Sequence, residues 1–279
     1  MSYKYDICDP AGTLKSLCKE IVRTNRYHRV LQAVNLEFWP LGSETEHGLY
    51  VGSYGRNTAI DTSDLDILVE IPEREYCRYS DYERNGQSRL LQRIRETIKK
   101  TWPASEISAD GQVVKIDFSD QMKFEVLPAF PNCSYSCNFC NVTYKYPDAN
   151  MGGHWKTTNP RAEQQAFRNK DYSSNGLLCE TCRYVRTIRD KYSSYHLSGI
   201  LIDSFVFDAI GTYRFPYAGA RNLHFASSYW SSLLYFYNKM TKNGKCSVPL
   251  NAPGSNMSVD TSAGWDVLGK ILNRTVSGG

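Results

Sequence analysis

The alternation of apolar and polar positions separates a mixed N-terminal part of the chain from a helical C-terminal part. Apolar residues recur at helical spacing over 11–33 and again over 89–100, which predicts two amphipathic helices. The segment DLDILVEIP alternates apolar and acidic positions and stops at Pro72, as a strand does. The segment GQVVKIDFSDQMKFEVLPAF predicts two more strands, joined by a turn at Ser119–Gln121.

These elements predict an α+β protein with three parts. Residues 1–130 would form an α/β lobe that includes the N-terminal helix. Residues 131–160 are rich in turn formers and contain cysteines, which predicts a loop-rich connection. Helical patterns dominate 161–279, in LLCETCRYVRTIRDKY, HLSGILIDSFVFDAIG and SSYWSSLLYFYNKM, so this part is expected to be a helical lobe.

Composition narrows the class of protein. The 279 residues are 41% hydrophobic and 13% aromatic, which favours a folded chain over a disordered one. A net charge of +4 is too small to indicate a stable nucleic-acid partner. The sequence shows no apolar run of about 18 residues and no secretory pattern, so no membrane contact and a cytoplasmic location are expected. The nine cysteines are then expected as thiols or metal ligands.

Residues that could bind a ligand or take part in catalysis flank a short loop in YVGSYGRNTAIDTSDLDILVEIP. On a strand, Asp64 and Asp66 would point to one side, roughly 6.5–7 Å apart, and would repel each other unless a cation lay between them. Such oxygen ligands suit Mg²⁺ or Mn²⁺. Gly52 allows a phosphate to approach the backbone closely, and Ser53 can donate to it. A helix opening at YGRNTA would add its positive end. The pattern indicates a site for a metal-bound nucleoside triphosphate.

A third carboxylate would complete a site for two metal ions. Two residues on the predicted strands qualify, Glu125 in KFEVLPAF and Asp117 in VKIDFSD. The pattern alone leaves both open, because a carboxylate on a strand is more often exposed than catalytic.

The Gly-Ser pair followed after ten residues by Asp-Leu-Asp resembles the nucleotidyltransferase signature of the polymerase-β-like superfamily. Together with FEVLPAF, GGHWKTTNPRAE and APGSNMSVDTS, it resembles the bacterial CD-NTases, relatives of cyclic GMP-AMP synthase and oligoadenylate synthase. The resemblance extends over nearly the whole chain. It implies a polymerase-β-like lobe, with a mixed β-sheet and helices, followed by a helical C-terminal lobe.

The same resemblance assigns roles to single residues. It places the third carboxylate at Glu125, where many relatives have Asp, and leaves Asp117 as the lesser candidate. In oligoadenylate-synthase-like enzymes, two cations three residues apart on a helix contact the triphosphate, and Arg183 and Arg186 occupy those positions. A Ser-Ser-Tyr-His segment shared with cyclic GMP-AMP synthase implies that Ser194 meets the phosphates.

The activity implied by the resemblance is the joining of nucleoside triphosphates into a cyclic di- or trinucleotide, with release of pyrophosphate and two Mg²⁺ or Mn²⁺ ions as cofactors. The product would activate a separate effector protein in bacterial anti-phage (CBASS) signalling. One alternative is a linear oligonucleotide synthase, or an enzyme that modifies RNA or protein. Another is an inactive module that senses a nucleotide.

Four cysteines form two CxxC pairs, Cys137 with Cys140 and Cys179 with Cys182. Such pairs are compatible with a structural Zn²⁺ that joins the connection to the phosphate-binding helix. Cys133 or His154 could replace one ligand. The alternative is that they are reduced thiols, with Cys182 in the core of a helix.

Overall fold

The computed structural model describes residues 10–132, 142–192, 196–220 and 227–277. The helices in these ranges are α1 (Pro10–Phe38), α2 (Gly52–Gly55), α3 (Glu73–Ser80), α4 (Gly86–Thr101), α5 (Pro160–Ser173), α6 (Leu177–Lys191), α7 (Gly199–Ala209), α8 (Ser227–Met240) and α9 (Trp265–Ser277). The strands are β1 (Gly48–Tyr50), β2 (Leu65–Glu70), β3 (Glu106–Asp110), β4 (Val113–Asp117), β5 (Lys123–Asn132), β6 (Thr143–Asp148), β7 (His154–Thr158), β8 (Thr241–Lys242) and β9 (Lys245–Cys246).

A mixed sheet forms the centre of the N-terminal lobe. Its strand order is β1-β2-β5-β4-β3, and β6 and β7 continue from the far end of β5. Strands β2 and β5 are parallel, whereas the other neighbours are antiparallel. The α+β class and the mixed sheet with helices are as predicted. The strands predicted over 64–72 and 111–130 are β2, β4 and β5.

One face of this sheet is covered by α1 and α4. The other face carries both apolar side chains, such as the buried Leu68, and polar ones. Strand alternation sends Leu65, Ile67 and Val69 into the covered face, where they are buried beside Ile94 and Ile98 of α4. Side chains at the intervening positions, such as that of Asp66, therefore lie on the opposite face. This division of the sheet places the acidic residues of β2 and β5 outside the core.

A second hydrophobic core lies in the helical part of the chain. It gathers side chains from α5 to α9, among them Phe167, Leu178, Phe205 and Trp265. The ring of Trp265 stacks on Tyr237 with ring centres 5.0 Å apart. None of the helices in the described ranges combines the length and apolar character that crossing a membrane requires.

The expectation of a loop-rich connection over 131–160 is wrong for its described part. Strands β6 and β7 lie there and pair antiparallel through five residues, from Tyr144–Thr158 to Asp148–His154. The turn formers of this segment are concentrated between the strands, in a short 3-10 turn at Asn150–Gly152. Aromatic residues stabilise the flanking strands, because Tyr144 is buried and Trp155 packs on Phe130.

Candidate active site

The Gly-Ser pair forms a single helical turn at the edge of a cleft. Gly52 begins α2 with a φ of +57°, and a Cβ built on it would lie 1.8 Å from Asp66 Oδ2. Only glycine permits this approach at a positive φ. The Val51 amide donates to Asp66 O at 2.9 Å, which holds the turn against β2. The predicted helix over YGRNTA is thus a turn that ends at Gly55.

Glu125 is the neighbour of Asp66 across the sheet. The parallel register of β2 and β5 pairs Asp66 with Glu125, so both carboxylates lie on the same face of adjacent strands. Lys115 Nζ lies 3.9 Å from Glu125 Oε1 and 2.5 Å from Asp110 Oδ2. A lysine thus partly balances the charge of Glu125.

Asp64 and Asp117 stand at the margins of this group. Asp64 precedes the first residue of β2 and is exposed. It lies on the same side of the chain as Asp66 but closer to solvent. Asp117 is paired in register with Lys123 of β5, and its carboxylate lies 3.7 Å from Lys123 Nζ. The register therefore brings Glu125, and not Asp117, directly beside Asp66.

The electrostatics of the site are dominated by Asp66. Burial raises its pKa to about 7, and the carboxylates of Glu125 and Asp64 add to the shift, whereas Arg56 and Arg186 oppose it. Burial also raises the pKa of Glu125, which Lys115 opposes. Burial is thus the main cause of both shifts, and repulsion between the neighbouring carboxylates adds to it.

Two adjoining cavities meet at Asp66. The larger, about 460 Å³, is bordered by Gly52, Ser53, Asp64 and Asp66 on the sheet side and by residues of α6 and α7 on the helical side. The smaller, about 220 Å³, is bordered by Asp66 and Glu125 together with polar and apolar side chains: Gln112, Val113, Leu127, Tyr146 and Thr158. Asp66 and Gly52 border both spaces.

Helix α6 supplies cations to the larger cavity, but the pair differs from the predicted one. Arg186 and Arg189 border the cavity. Arg186 is 3% exposed and donates to Asp203 Oδ2 at 2.7 Å. Arg183 is not among the bordering residues, and its nearest described acidic partner is Glu180 at 3.4 Å. Because Arg189 follows Arg186 by three positions, it shares a helix face with it.

The donor set fits divalent cations of the Mg²⁺ or Mn²⁺ type. Asp64, Asp66 and Glu125 offer carboxylate oxygens beside a cavity large enough for phosphates. Within the described ranges, no three acidic, histidine or cysteine side chains already converge as a closed ligand set. These carboxylates would therefore turn toward a shared ion, with phosphate oxygens and water completing its coordination.

A comparison with protein families decides the affiliation of the chain. Residues 16–171 match the model of the Second Messenger Oligonucleotide or Dinucleotide Synthetase domain. This region is more than half of the 279 residues and includes the helical turn and the three carboxylates. The chain belongs to this synthetase family. Its members are the bacterial CD-NTases, as the sequence predicted. No curated protein sequence matches the chain.

Solved structures of bacterial CD-NTases share the fold. The CdnE cyclic dinucleotide synthase of Elizabethkingia meningoseptica, bound to GTP and Apcpp, has a TM-score of 0.61 and 13% identity, with 91% of this chain and 90% of that chain covered. CdnG of Bradyrhizobium diazoefficiens, bound to GTP, has a TM-score of 0.60 and 13% identity, with 98% and 86% covered. A mutant of the Vibrio cholerae di-nucleotide cyclase DncV has a TM-score of 0.56 and 11% identity, with 97% and 85% covered. The likeness to these chains confirms the polymerase-β-like nucleotidyltransferase fold.

The zinc site stays a prediction, because Cys137, Cys140 and the alternative Cys133 lie outside the described ranges. Cys179 and Cys182 are buried in the helical core. The Cys179 thiol contacts Arg56 O at 3.6 Å. Burial raises the pKa of both thiols. His154, the other alternative ligand, lies near Asp148.

Three residues near the candidate site were not predicted from the sequence: Arg189, Arg56 and Thr58. The predicted Ser194 lies outside the described ranges. Arg189 carried a signal, since it repeats the spacing that singled out the other arginines of α6. Arg56 and Thr58 stand inside the Gly-Ser segment, yet nothing in the pattern links them to Asp203, 147 and 145 residues away. Their connection depends on how the two lobes pack.

Proposed function

We propose that the chain is a metal-dependent nucleotidyltransferase that joins nucleoside triphosphates and releases pyrophosphate. The proposal rests on one observation above the others. Asp66 borders two cavities, one next to Ser53 and Arg189 and one next to Glu125. A reaction that joins two nucleotides needs a place for each on either side of the reacting phosphorus.

The larger cavity suits the triphosphate donor. Its backbone at Gly52 allows close approach, Ser53 can donate to a phosphate oxygen, and Arg189 adds a cation whose planar group suits phosphate. Arg186 contributes positive charge from a fixed position. The smaller cavity suits the nucleotide whose ribose hydroxyl attacks, with Glu125 and Tyr146 at its border.

The reaction is the attack of that hydroxyl oxygen on the α-phosphorus of the bound triphosphate. A new oxygen–phosphorus bond forms, the bond to the oxygen that bridges to the β-phosphorus breaks, and pyrophosphate leaves. The hydroxyl proton passes to solvent. Asp64, Asp66 and Glu125 would hold two divalent ions, which lower the pKa of the attacking hydroxyl and offset the charge on the α-phosphate and leaving group. The protein residues align donor and acceptor, and alignment of this kind contributes a large part of such a rate enhancement.

We further propose that the product is a cyclic di- or trinucleotide. The matched CdnE proteins are described as a cyclic dinucleotide synthase and, in Rhodothermus marinus, as a c-UMP-AMP synthase. A second round of the same attack within a linear dinucleotide would close the ring without further residues. The product would act as a second messenger on a separate effector protein in anti-phage signalling.

The release of pyrophosphate tests the chemical part of this proposal. The purified chain is incubated with the four nucleoside triphosphates and Mg²⁺ or Mn²⁺, and the Asp64→Asn/Asp66→Asn double variant serves as the comparison. Asp260→Asn is a matched control, because Asp260 is exposed and lies outside both cavities. Turnover should be lost in the double variant and kept in the control. Equal turnover in all three proteins would contradict the proposal, and its absence in the unmodified chain would favour the nucleotide-sensing alternative.

A further inference from the structure

A cluster of charged side chains is buried between the two lobes. Its centre is Asp203 of α7, whose side chain is 0% exposed. Asp203 Oδ2 accepts hydrogen bonds from Arg56 Nε at 2.9 Å, Thr58 Oγ1 at 2.9 Å and Arg186 Nη2 at 2.7 Å. Burial alone would disfavour the ionised form, but Arg186 and Arg56 outweigh it and lower the pKa of Asp203. Asp203 is therefore a carboxylate in the folded protein.

The first branch of this cluster leads to the Gly-Ser turn. The Thr58 amide donates to Ser53 O at 2.9 Å, and the Arg56 amide donates to Gly52 O at 3.2 Å. Asp203 holds the side chains of the same two donors, Thr58 and Arg56. The position of Ser53 relative to α7 is thus set through Asp203, although Asp203 borders neither cavity.

The second branch leads to Arg186 on the helical side of the larger cavity. Its Nη2 donates to Gly199 O at 3.1 Å as well as to Asp203. A Cβ built on Gly199 would lie 2.4 Å from Arg186 Nη1, so the guanidinium occupies a closely fitted place. Arg186 Nε has no hydrogen-bond partner among the described residues. Asp203 therefore fixes a cation that still has unused donor capacity.

The charges of the cluster balance within the protein. Glu163 of α5 accepts from Arg56 Nη1 at 2.9 Å and from Ser255 Oγ at 2.9 Å. Two arginines thus face two carboxylates, Asp203 and Glu163. Loss of the Asp203 charge would leave one buried guanidinium charge uncompensated, and the two arginines would repel each other. Both would then move, and the Gly-Ser turn and Arg186 would move with them.

We propose that Asp203 is a positioning residue for the triphosphate. It holds the Gly-Ser turn of the sheet lobe and Arg186 of the helical lobe at the separation that the phosphates require, without touching the nucleotide. This inference rests on the proposed function, because it concerns the same cavity. If Asp203 formed only a structural salt bridge, a folded variant without its charge would bind nucleotide normally. A positioning role requires instead that this folded variant bind nucleotide poorly.

The test compares Asp203→Asn with Asp208→Asn. Asp208 lies on the same helix but is exposed, so its variant controls for a changed charge on α7. Affinity for a non-hydrolysable nucleoside triphosphate with Mg²⁺ is measured by calorimetry, well below the melting temperature of each protein. Asp203→Asn should weaken binding by about tenfold to a hundredfold, and the KM for pyrophosphate release should rise accordingly. The kcat should fall less than the KM rises, because the carboxylates of the sheet are intact. Asp208→Asn should bind like the unmodified chain.

Thr58→Val provides a second variant that keeps the branched shape and removes only the hydroxyl donor. It should weaken binding in the same direction by about a fewfold. Should Asp203→Asn fail to fold, unchanged affinity in Thr58→Val overturns the inference. A folded Asp203→Asn with a lower melting temperature but unchanged affinity and KM also overturns it, since that result describes a structural bridge only. If the unmodified chain binds no nucleoside triphosphate, the proposed function itself fails, which is a separate result.

Discussion

Gly52 and the carboxylate of Asp66 are in direct contact, and a Cβ on Gly52 would lie 1.8 Å from Asp66 Oδ2. Gly52→Ala should therefore abolish pyrophosphate release, because the methyl group displaces Asp66. The backbone strain at positive φ adds about 1–3 kcal/mol of destabilisation.

Gly211→Ala is the matched control for this substitution. Gly211 has nearly the same φ, +56°, and a Cβ there would meet no atom within 4 Å. Both variants should lose stability in denaturant unfolding through backbone strain, and Gly52→Ala at least as much as Gly211→Ala because its methyl group also displaces Asp66. Only Gly52→Ala should lose activity. Comparable activity in both variants would show that Gly52 is not needed to accommodate Asp66.

The stability of the metal-free protein should depend on pH through Asp66. The folded state keeps the Asp66 proton up to about pH 7, whereas the unfolded chain releases it near pH 4. The folded state thus binds more protons between these values, and its stability falls as the pH rises through them, by at most about 4 kcal/mol.

Scanning calorimetry from pH 5 to pH 8 in the presence of a chelator measures this effect. The melting temperature of the unmodified chain should fall with pH more steeply than that of Asp66→Asn. Addition of Mg²⁺ or Mn²⁺ near pH 8 should restore the melting temperature of the unmodified chain, but not that of Asp66→Asn. If the melting temperatures of the two proteins changed with pH in parallel, the ionisation of Asp66 would not lower the stability of the folded state.

Glu125 and Asp117 can be separated as candidates for the third carboxylate. Glu125 is in register with Asp66, whereas Asp117 is paired with Lys123. Glu125→Gln should lower the rate of pyrophosphate release by about a hundredfold or more, since it removes a charged ligand beside the reacting phosphate. Asp117→Asn should change the rate by about threefold at most. The opposite order of effects would move the third ligand to Asp117.

Arg189 and Arg183 flank Arg186 on α6 but differ in their surroundings. Arg189 borders the larger cavity, whereas Arg183 does not. Arg189→Gln should raise the KM for nucleoside triphosphate by about tenfold, the effect of one lost charged hydrogen bond to phosphate. Arg183→Gln is the matched control on the same helix and should leave the KM unchanged. A larger effect at Arg183 would support the pair predicted from the resemblance.

The chemistry of the sheet was accessible from the sequence because it depends on local rules. Strand alternation predicted that Asp66 faces away from Leu65 and Ile67, and the structure places those two side chains in the core. The sequence also singled out Gly52, but for the close approach of a phosphate; the positive φ and the close packing against Asp66 came from the structure. Family membership followed from these few positions together with the later motifs.

The rest could not be predicted, because it depends on contacts between distant segments. Asp203 reads as one acidic residue in an apolar helix, and its three donors come from 17 to 147 residues away. Strands β6 and β7 were hidden by turn-forming residues, among them Pro147 and Gly152, that stand within or between them. Both Arg183 and Arg189 are three residues from Arg186, so the spacing alone cannot show which of them lies beside Arg186 at the cavity. That depends on which face of α6 borders the cavity.

The mass of the reaction product tests the central proposal most directly. The unmodified chain and the Asp64→Asn/Asp66→Asn variant are incubated with all four nucleoside triphosphates and Mg²⁺ or Mn²⁺, treated with phosphatase and analysed by mass spectrometry. We expect the unmodified chain alone to produce a phosphatase-resistant species with the mass of two or three linked nucleotides closed into a ring. Finding only nucleosides in both samples, as the dephosphorylated remains of unreacted triphosphates, would contradict the account.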